Sequence, residues 1–147
     1  MIDSFRGEYA FLSNCHPAQG GIELEGAKYP TVENAFQAAK TPDVEDRKPF
    51  ETATAAAARR MGKRVQLRSD WDYARVEIMR GLVRTKFAEP EMSTLLLATA
   101  DEKLVDGNKW HDNYWGICMC PRCKGEKGLN WLGRILMAVR NELSEKK

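Results

Sequence analysis

No apolar run in these 147 residues approaches the roughly 20 that a membrane-spanning helix needs, so no membrane partner is expected. The opening "MIDSFRGEY" also lacks the apolar stretch of a secretory signal, which makes the cytoplasm the expected location. A large excess of one charge is missing too. Lys and Arg number 23 against 21 Asp and Glu, a net charge of +2, far short of what a nucleic-acid-coating protein carries. There is no internal repeat, low-complexity tract or linker, so one domain over residues 1–147 is expected, long enough for a genuine core. Cysteines are few. Of the four, three crowd into "CMCPRC", and a reducing compartment leaves metal ligation or simple thiols rather than disulfides.

What is present reads as mainly α, with a minor β element near the N-terminus. Residues 1–30 carry Gly20, Gly21 and Gly26 among short alternating pieces and predict a hairpin or irregular cap. A helix follows from Thr31, a good N-cap, and stops near Thr41-Pro42. A second is expected from about Val44 through "ETATAAAARRM" to a C-cap at Gly62. Asp70 can cap a third with the stripe Val76, Met79, Leu82, Val83 and Phe87, ended by Pro90. "EMSTLLLATA" predicts a short buried helix, and Leu129, Leu132, Ile135, Leu136, Val139 and Leu143 one face of a last helix. Between them Asp106 to Gly128 is aperiodic and rich in Gly, Asn, Asp, Trp and Cys. A loop of that length is functional or metal-braced.

Four constellations carry chemistry. In "YPTVENAFQAAK", Glu33, Gln37 and Lys40 share one edge beside Phe36, the acid and amine about 10 Å apart along the axis at roughly 1.5 Å per residue. An amine bordering apolar surface loses hydration, which lowers its pKa and frees its lone pair for attack; a nearby carboxylate can move protons. In "NKWHDNYWG", Asn108, His111, Asp112 and Asn113 offer polar groups. Trp110 and Trp115 offer faces on which a base can stack, and Gly116 lets backbone come close to a ligand. Cys118, Cys120 and Cys123 form a candidate structural zinc site, with His111, Cys15 or His16 as fourth ligand. Finally, "FRGEYAFLSN" holds Arg6 as a candidate phosphate fork, with Ser13 and Asn14 in a turn. The basic "ARRMGKRVQLR" could steer a phosphorylated ligand. Each constellation also has a plainer structural explanation as surface edge, core anchor or turn.

"GEYAFLSN", "YPTVENAFQAAK", "RSDWDYARVEIM", "LVDGNKWHDNYWG" and "GLNWLGRILMAVR" stand in the order and spacing of the YbiA/RibX-like proteins, or NADAR domains, so the chain resembles that family over nearly its whole length. The resemblance implies a compact, mainly helical domain that hydrolyses ribose C1′–N bonds. Its implied substrates are ADP-ribose on guanine, in nucleoside or DNA, or phosphoribosylamino-pyrimidine intermediates of riboflavin synthesis. No cofactor is expected for the chemistry and no obligate protein partner. By position, Lys40 and Glu33 match the family's lysine and acid; Asp112 with Trp115-Gly116 match its Asp–Trp-Gly loop; Asn130 with Gly133 match its Asn-x-x-Gly. Two departures stand out: Cys15-His16 replaces a usual aromatic, and "ICMCPRCKGEK" fills a loop that is Gly-rich in shorter members. The implied roles are Lys40 as nucleophile, Glu33 and Asp112 as proton carriers, and Arg6, Ser13, Asn14, Gln37, Asn108, Trp110, Trp115, Gly116 and Asn130 as substrate contacts. The rivals are direct water activation by Glu33 or Asp112, a non-catalytic ADP-ribose reader, and a zinc-ribbon nucleic-acid module.

Overall fold

A computed structural model describes residues 1–146. The expected mainly helical fold with a small N-terminal β element is what it shows. Within the single span that the sequence suggests, contacts group into two compact units, residues 14–86 and residues 1–13 with 87 onward.

Residues 14–86 begin with a hairpin of β1 (Ile22–Leu24) and β2 (Ala27–Tyr29). Glu25 and Gly26, both at positive φ (49° and 89°), form its two-residue turn, matching the right-handed twist of the strands. Helix α1 (Val32–Ala38) follows, and Thr31 and Asn34 cap it. The Thr31 hydroxyl donates to Asn34 Oδ1 (2.6 Å), and Asn34 N donates back to Thr31 Oγ1 (3.0 Å). All seven residues of α1 are buried, including Glu33, Asn34 and Gln37. A helix buried all round must satisfy its polar side chains from within the protein.

The second helix differs from expectation. It is broken into α2 (Val44–Arg47), a 3-10 segment Lys48–Glu51, and α3 (Ala55–Met61). Pro49 cannot donate to the helix ladder, and Thr54 opens α3 afresh by accepting from Ala57 N (3.1 Å). The carbonyls released at the break are used. Asn34 Nδ2 donates to Phe50 O (2.9 Å) and Ala53 O (2.8 Å). Helix α4 (Trp71–Phe87) buries Met79, Leu82, Val83 and Phe87 from its expected stripe, and Trp71 packs on Phe36 at 5.0 Å. Asp70 stands at its head, its carboxylate forked by Arg68 (2.6 and 3.0 Å).

In the other unit, Pro90 opens α5 (Pro90–Leu97) behind the capping carboxylate of Glu89. The aperiodic stretch contains β3 (Gly107–Asn108) paired in parallel with β4 (Ile117–Cys118). Helix α6 (Trp131–Glu145) buries Leu132, Ile135, Leu136 and Val139, whereas Leu129 precedes the helix and is exposed. Among the described residues no helix is long and apolar enough to cross a membrane.

Asn34 joins α1 to the broken second helix through the carbonyls of Phe50 and Ala53. Asn34→Ala should lower unfolding free energy by about 3 kcal/mol, read as a shifted urea midpoint with unchanged slope.

Candidate functional site

Burial of α1 sets the surroundings of its acid. Glu33 is 7 % exposed, and its Oε1 accepts from both Gln37 Nε2 (2.9 Å) and Arg59 Nε (3.2 Å). Oε2 makes no hydrogen bond among the described residues. The carboxylate is thus gripped by one oxygen and open at the other. Arg59 reaches in from α3, and its Nη2 also donates to Cys15 Sγ (3.2 Å). Burial works against the charge on Arg59, but Glu33 and Cys15 outweigh it and hold the guanidinium above its usual pKa.

Lys40 is not on α1 as expected. The helix stops at Ala38, and Lys40 N donates to Gln37 O (3.2 Å) in a closing turn, so the amine lies past the helix rather than two turns along it. The side chain is half-buried and makes no ion pair among the described residues. Loss of hydration lowers its pKa below the ordinary lysine value; Glu33 opposes the shift and Lys63 adds to it. Acid and amine therefore feel each other electrostatically. A second amine is more deeply placed: Lys86, 3 % exposed, is brought down to about 7 by burial, with Cys15 opposing. The imidazole of His16 is lowered by burial and then by Lys86.

Gly62 has φ −61°, so it does not end α3 as a left-handed cap. Its reason is close approach, since a Cβ there would lie 1.9 Å from Gln37 Oε1. That oxygen is buried without a hydrogen-bond partner among the described residues, while the same amide's nitrogen holds Glu33. Gln37 is thereby wedged between Gly62 and the carboxylate. Neither Arg59 nor Lys86 stands out in the sequence, and Gly62 stands out only as a helix C-cap. Arg59 and Gly62 lie in the basic "ARRMGKRVQLR", whose charge was a visible signal.

The tryptophan loop, in the other unit, is organised by its own polar side chains. Asn108 accepts from Trp110 N (3.2 Å) and Asp112 N (3.1 Å), and donates to Asp112 O (2.8 Å). Asp112 Oδ1 accepts from Tyr114 N (3.0 Å) and Trp115 N (2.9 Å). Asn130, at φ 51°, donates to Leu104 O (2.9 Å) and accepts from Asp106 N (3.0 Å). A Cβ at Gly116 would lie 1.9 Å from Asp106 O, so this glycine serves backbone packing. Asn108, Asn130 and Gly116, expected to contact substrate, also hold the loop's path through these contacts. Trp110 is exposed and can stack on a flat heterocycle; Trp115 is half-buried, set edge-on to Tyr114 at 5.0 Å. Arg6 is exposed on the turn before Tyr9, and Ser13 ends the 3-10 segment Gly7–Leu12. Asn14, in the 14–86 unit, accepts Glu33 N on its carbonyl (3.0 Å) and rests Nδ2 on Met79 Sδ (3.5 Å).

His111, Cys118, Cys120 and Cys123 bring four ligand atoms within 4.8 Å of one another. The fourth member is His111; Cys15 is instead bonded to Arg59, and neither it nor His16 belongs to the group. His111 Nδ1 lies 3.3, 3.4 and 3.9 Å from the sulfurs of Cys123, Cys120 and Cys118. A tetrahedron with bonds of about 2.0–2.3 Å has edges of roughly 3.5 Å, so the donor set fits a small tetrahedral cation. His111 N also donates to Cys118 Sγ (3.3 Å). Burial opposes ionisation of Cys118, but hydrogen bonds from Cys120, His111 and Cys123 hold it near 7; burial and the neighbouring thiols push Cys123 up to about 12.

The wedge at Gly62 has a measurable consequence. Gly62→Ala should destabilise the protein by about 2 kcal/mol, and less than half of that loss should remain in a Gln37→Ala background, read as a double-mutant cycle of unfolding.

Comparison with known proteins bears on these sites. The NADAR domain pattern matches residues 4–144, running through both units. N-glycosidase YbiA of Escherichia coli is 36% identical over 144 residues, covering 95% of this chain and 85% of that protein. A riboflavin biosynthesis protein of Vibrio vulnificus is 38% identical over 142 residues; the match covers 93% of this chain but 36% of that longer protein. The NMR structure of E. coli YbiA superposes with a TM-score of 0.78 at 34% identity, covering 99% of this chain and 88% of that one. By sequence pattern along almost its full length and by fold, the chain belongs to the NADAR domain family.

Proposed function

We propose that this protein is an N-glycosidase that breaks a ribose C1′–N bond, with Lys40 and Glu33 as the reacting groups. The observation that carries this reading is the Glu33 carboxylate, anchored through Oε1 with Oε2 open, within electrostatic reach of the desolvated Lys40 amine. The names of the YbiA relatives as N-glycosidases support it.

As the bond to nitrogen weakens, C1′ acquires oxocarbenium character, which an anionic Oε2 stabilises. The Lys40 Nζ lone pair forms a bond to C1′ while the C1′–N bond breaks and its electrons leave with the nitrogen. Glu33 Oε2 takes a proton from the attached amine and passes it to that nitrogen. The glycosyl-lysine opens to an imine, water adds to its carbon, and elimination returns the sugar and the free amine. Asp112 shapes the Trp115 turn in this reading. The substrate is ADP-ribose on guanine or a phosphoribosylamino-pyrimidine, and the riboflavin biosynthesis names of two longer relatives support the second.

A side-by-side turnover assay of both substrates tests this. Lys40→Ala and Glu33→Gln should each lower kcat about 100-fold or more. Borohydride should trap a sugar on the wild-type chain and none on Lys40→Ala. Because the pKa of Lys40 is lowered, the free amine forms below the usual lysine range. Activity should therefore rise with pH, through an inflection below 10.5, and fall as acid protonates the amine. Activity surviving Lys40→Ala with no trapped adduct would assign the attack to water activated by Glu33. ADP-ribose binding without release of base from either substrate would make the protein a reader.

We also assign the His111, Cys118, Cys120 and Cys123 group to a structural zinc ion that braces the tryptophan loop. The purified protein should carry one zinc per chain. Chelation or Cys123→Ser should lower Tm and speed amide exchange in residues 106–128.

A further inference from the structure

The turn after α3 is tied at both ends to the segment that carries the reacting groups. Gly62 presses on Gln37, and Arg68 N donates to Lys40 O (2.7 Å). Between the ties stand Lys63 and Arg64, both exposed, with Arg60 two residues before Gly62. None of these three cations forms an ion pair among the described residues. By contrast, Arg59 and Arg68 on either side are paired to Glu33 and Asp70. Cations in the last turn of α3 are what its carbonyl end favours, which accounts for Arg60. Lys63 and Arg64 lie beyond the helix and have no such account. Lys63 is close enough to Lys40 for its charge to help lower the pKa of that amine.

We propose that Lys63 and Arg64 form the site for the phosphate of the substrate's sugar, beside the amine that attacks its C1′. This rests on the N-glycosidase reading and adds the charge requirement to it. An anion bound here would neutralise two unpaired cations through charge-assisted hydrogen bonds. Its occupancy would also soften the repulsion that Lys63 exerts on Lys40, so phosphate and amine are coupled. The shared ligand chemistry is a phosphoryl oxygen, from a ribose monoester or from the pyrophosphate of ADP-ribose.

Calorimetry with ribose 5-phosphate, ADP-ribose and plain ribose separates these. The proteins compared are wild type, Lys63→Gln/Arg64→Gln and Arg6→Gln. The double variant should bind ribose 5-phosphate or ADP-ribose about 10-fold more weakly, with Tm unchanged, while Arg6→Gln binds like wild type. Loss confined to ribose 5-phosphate identifies a monoester; loss confined to ADP-ribose identifies the pyrophosphate. Unchanged binding, equal loss for plain ribose, or a loss that follows Arg6→Gln overturns the assignment. The measurement needs no turnover, so a protein that binds in this way and never hydrolyses would refute the glycosidase reading alone. In active enzyme the double variant should raise KM for the phosphorylated substrate.

Discussion

A carboxylate held almost out of water is the constraint around which residues 14–86 are arranged. Glu33 sits in a helix buried on every side, and an isolated anion there would be costly. The protein answers with two donors on one oxygen, the Gln37 amide and the Arg59 guanidinium. Each donor is fixed by something else. Gln37 is wedged by the bare backbone of Gly62, and Arg59 is held at its far end by Cys15. The arrangement spends Oε1 and leaves Oε2 without a hydrogen bond among the described residues. Breaking one partner of such a pair is far more harmful than replacing both, so the three side chains act as one unit.

The same unit concentrates amines of different character. Lys40 is half-buried and faces a carboxylate's field; Lys86 is buried and near neutrality; Lys63 is exposed. Hydration explains the order, because each step inward removes water from the ammonium form. Lys40 is the middle case, partly dehydrated and partly exposed.

The tryptophan loop solves a different problem. With only two residues in each of its paired strands, it cannot satisfy its backbone by a sheet. Asn108, Asp112, Asn113 and Asn130 take that part, each bonding main-chain N–H or C=O groups. The side chains of His111, Cys118, Cys120 and Cys123 gather at one point of the loop. Polar residues that read as ligand contacts in sequence are thus mostly engaged in holding the chain's path.

Much was legible in advance, for identifiable reasons. The Thr31 cap, the α4 stripe and the α6 face follow from periodicities that any core would impose. The Cys-x-Cys-x-x-Cys spacing marked the metal candidate, and the Glu33–Lys40 pair stood out by residue type and family likeness. Tertiary packing decided the rest. It alone buried α1 completely, broke the second helix at Pro49, and chose His111 over Cys15 to complete the cluster. It also brought Arg59 onto Glu33 across 26 positions of sequence. Local periodicity records which face of a segment is apolar, because neighbours along the chain suffice to express it. Which distant donor meets a buried acid depends on how the segments pack, and no short stretch of sequence contains that.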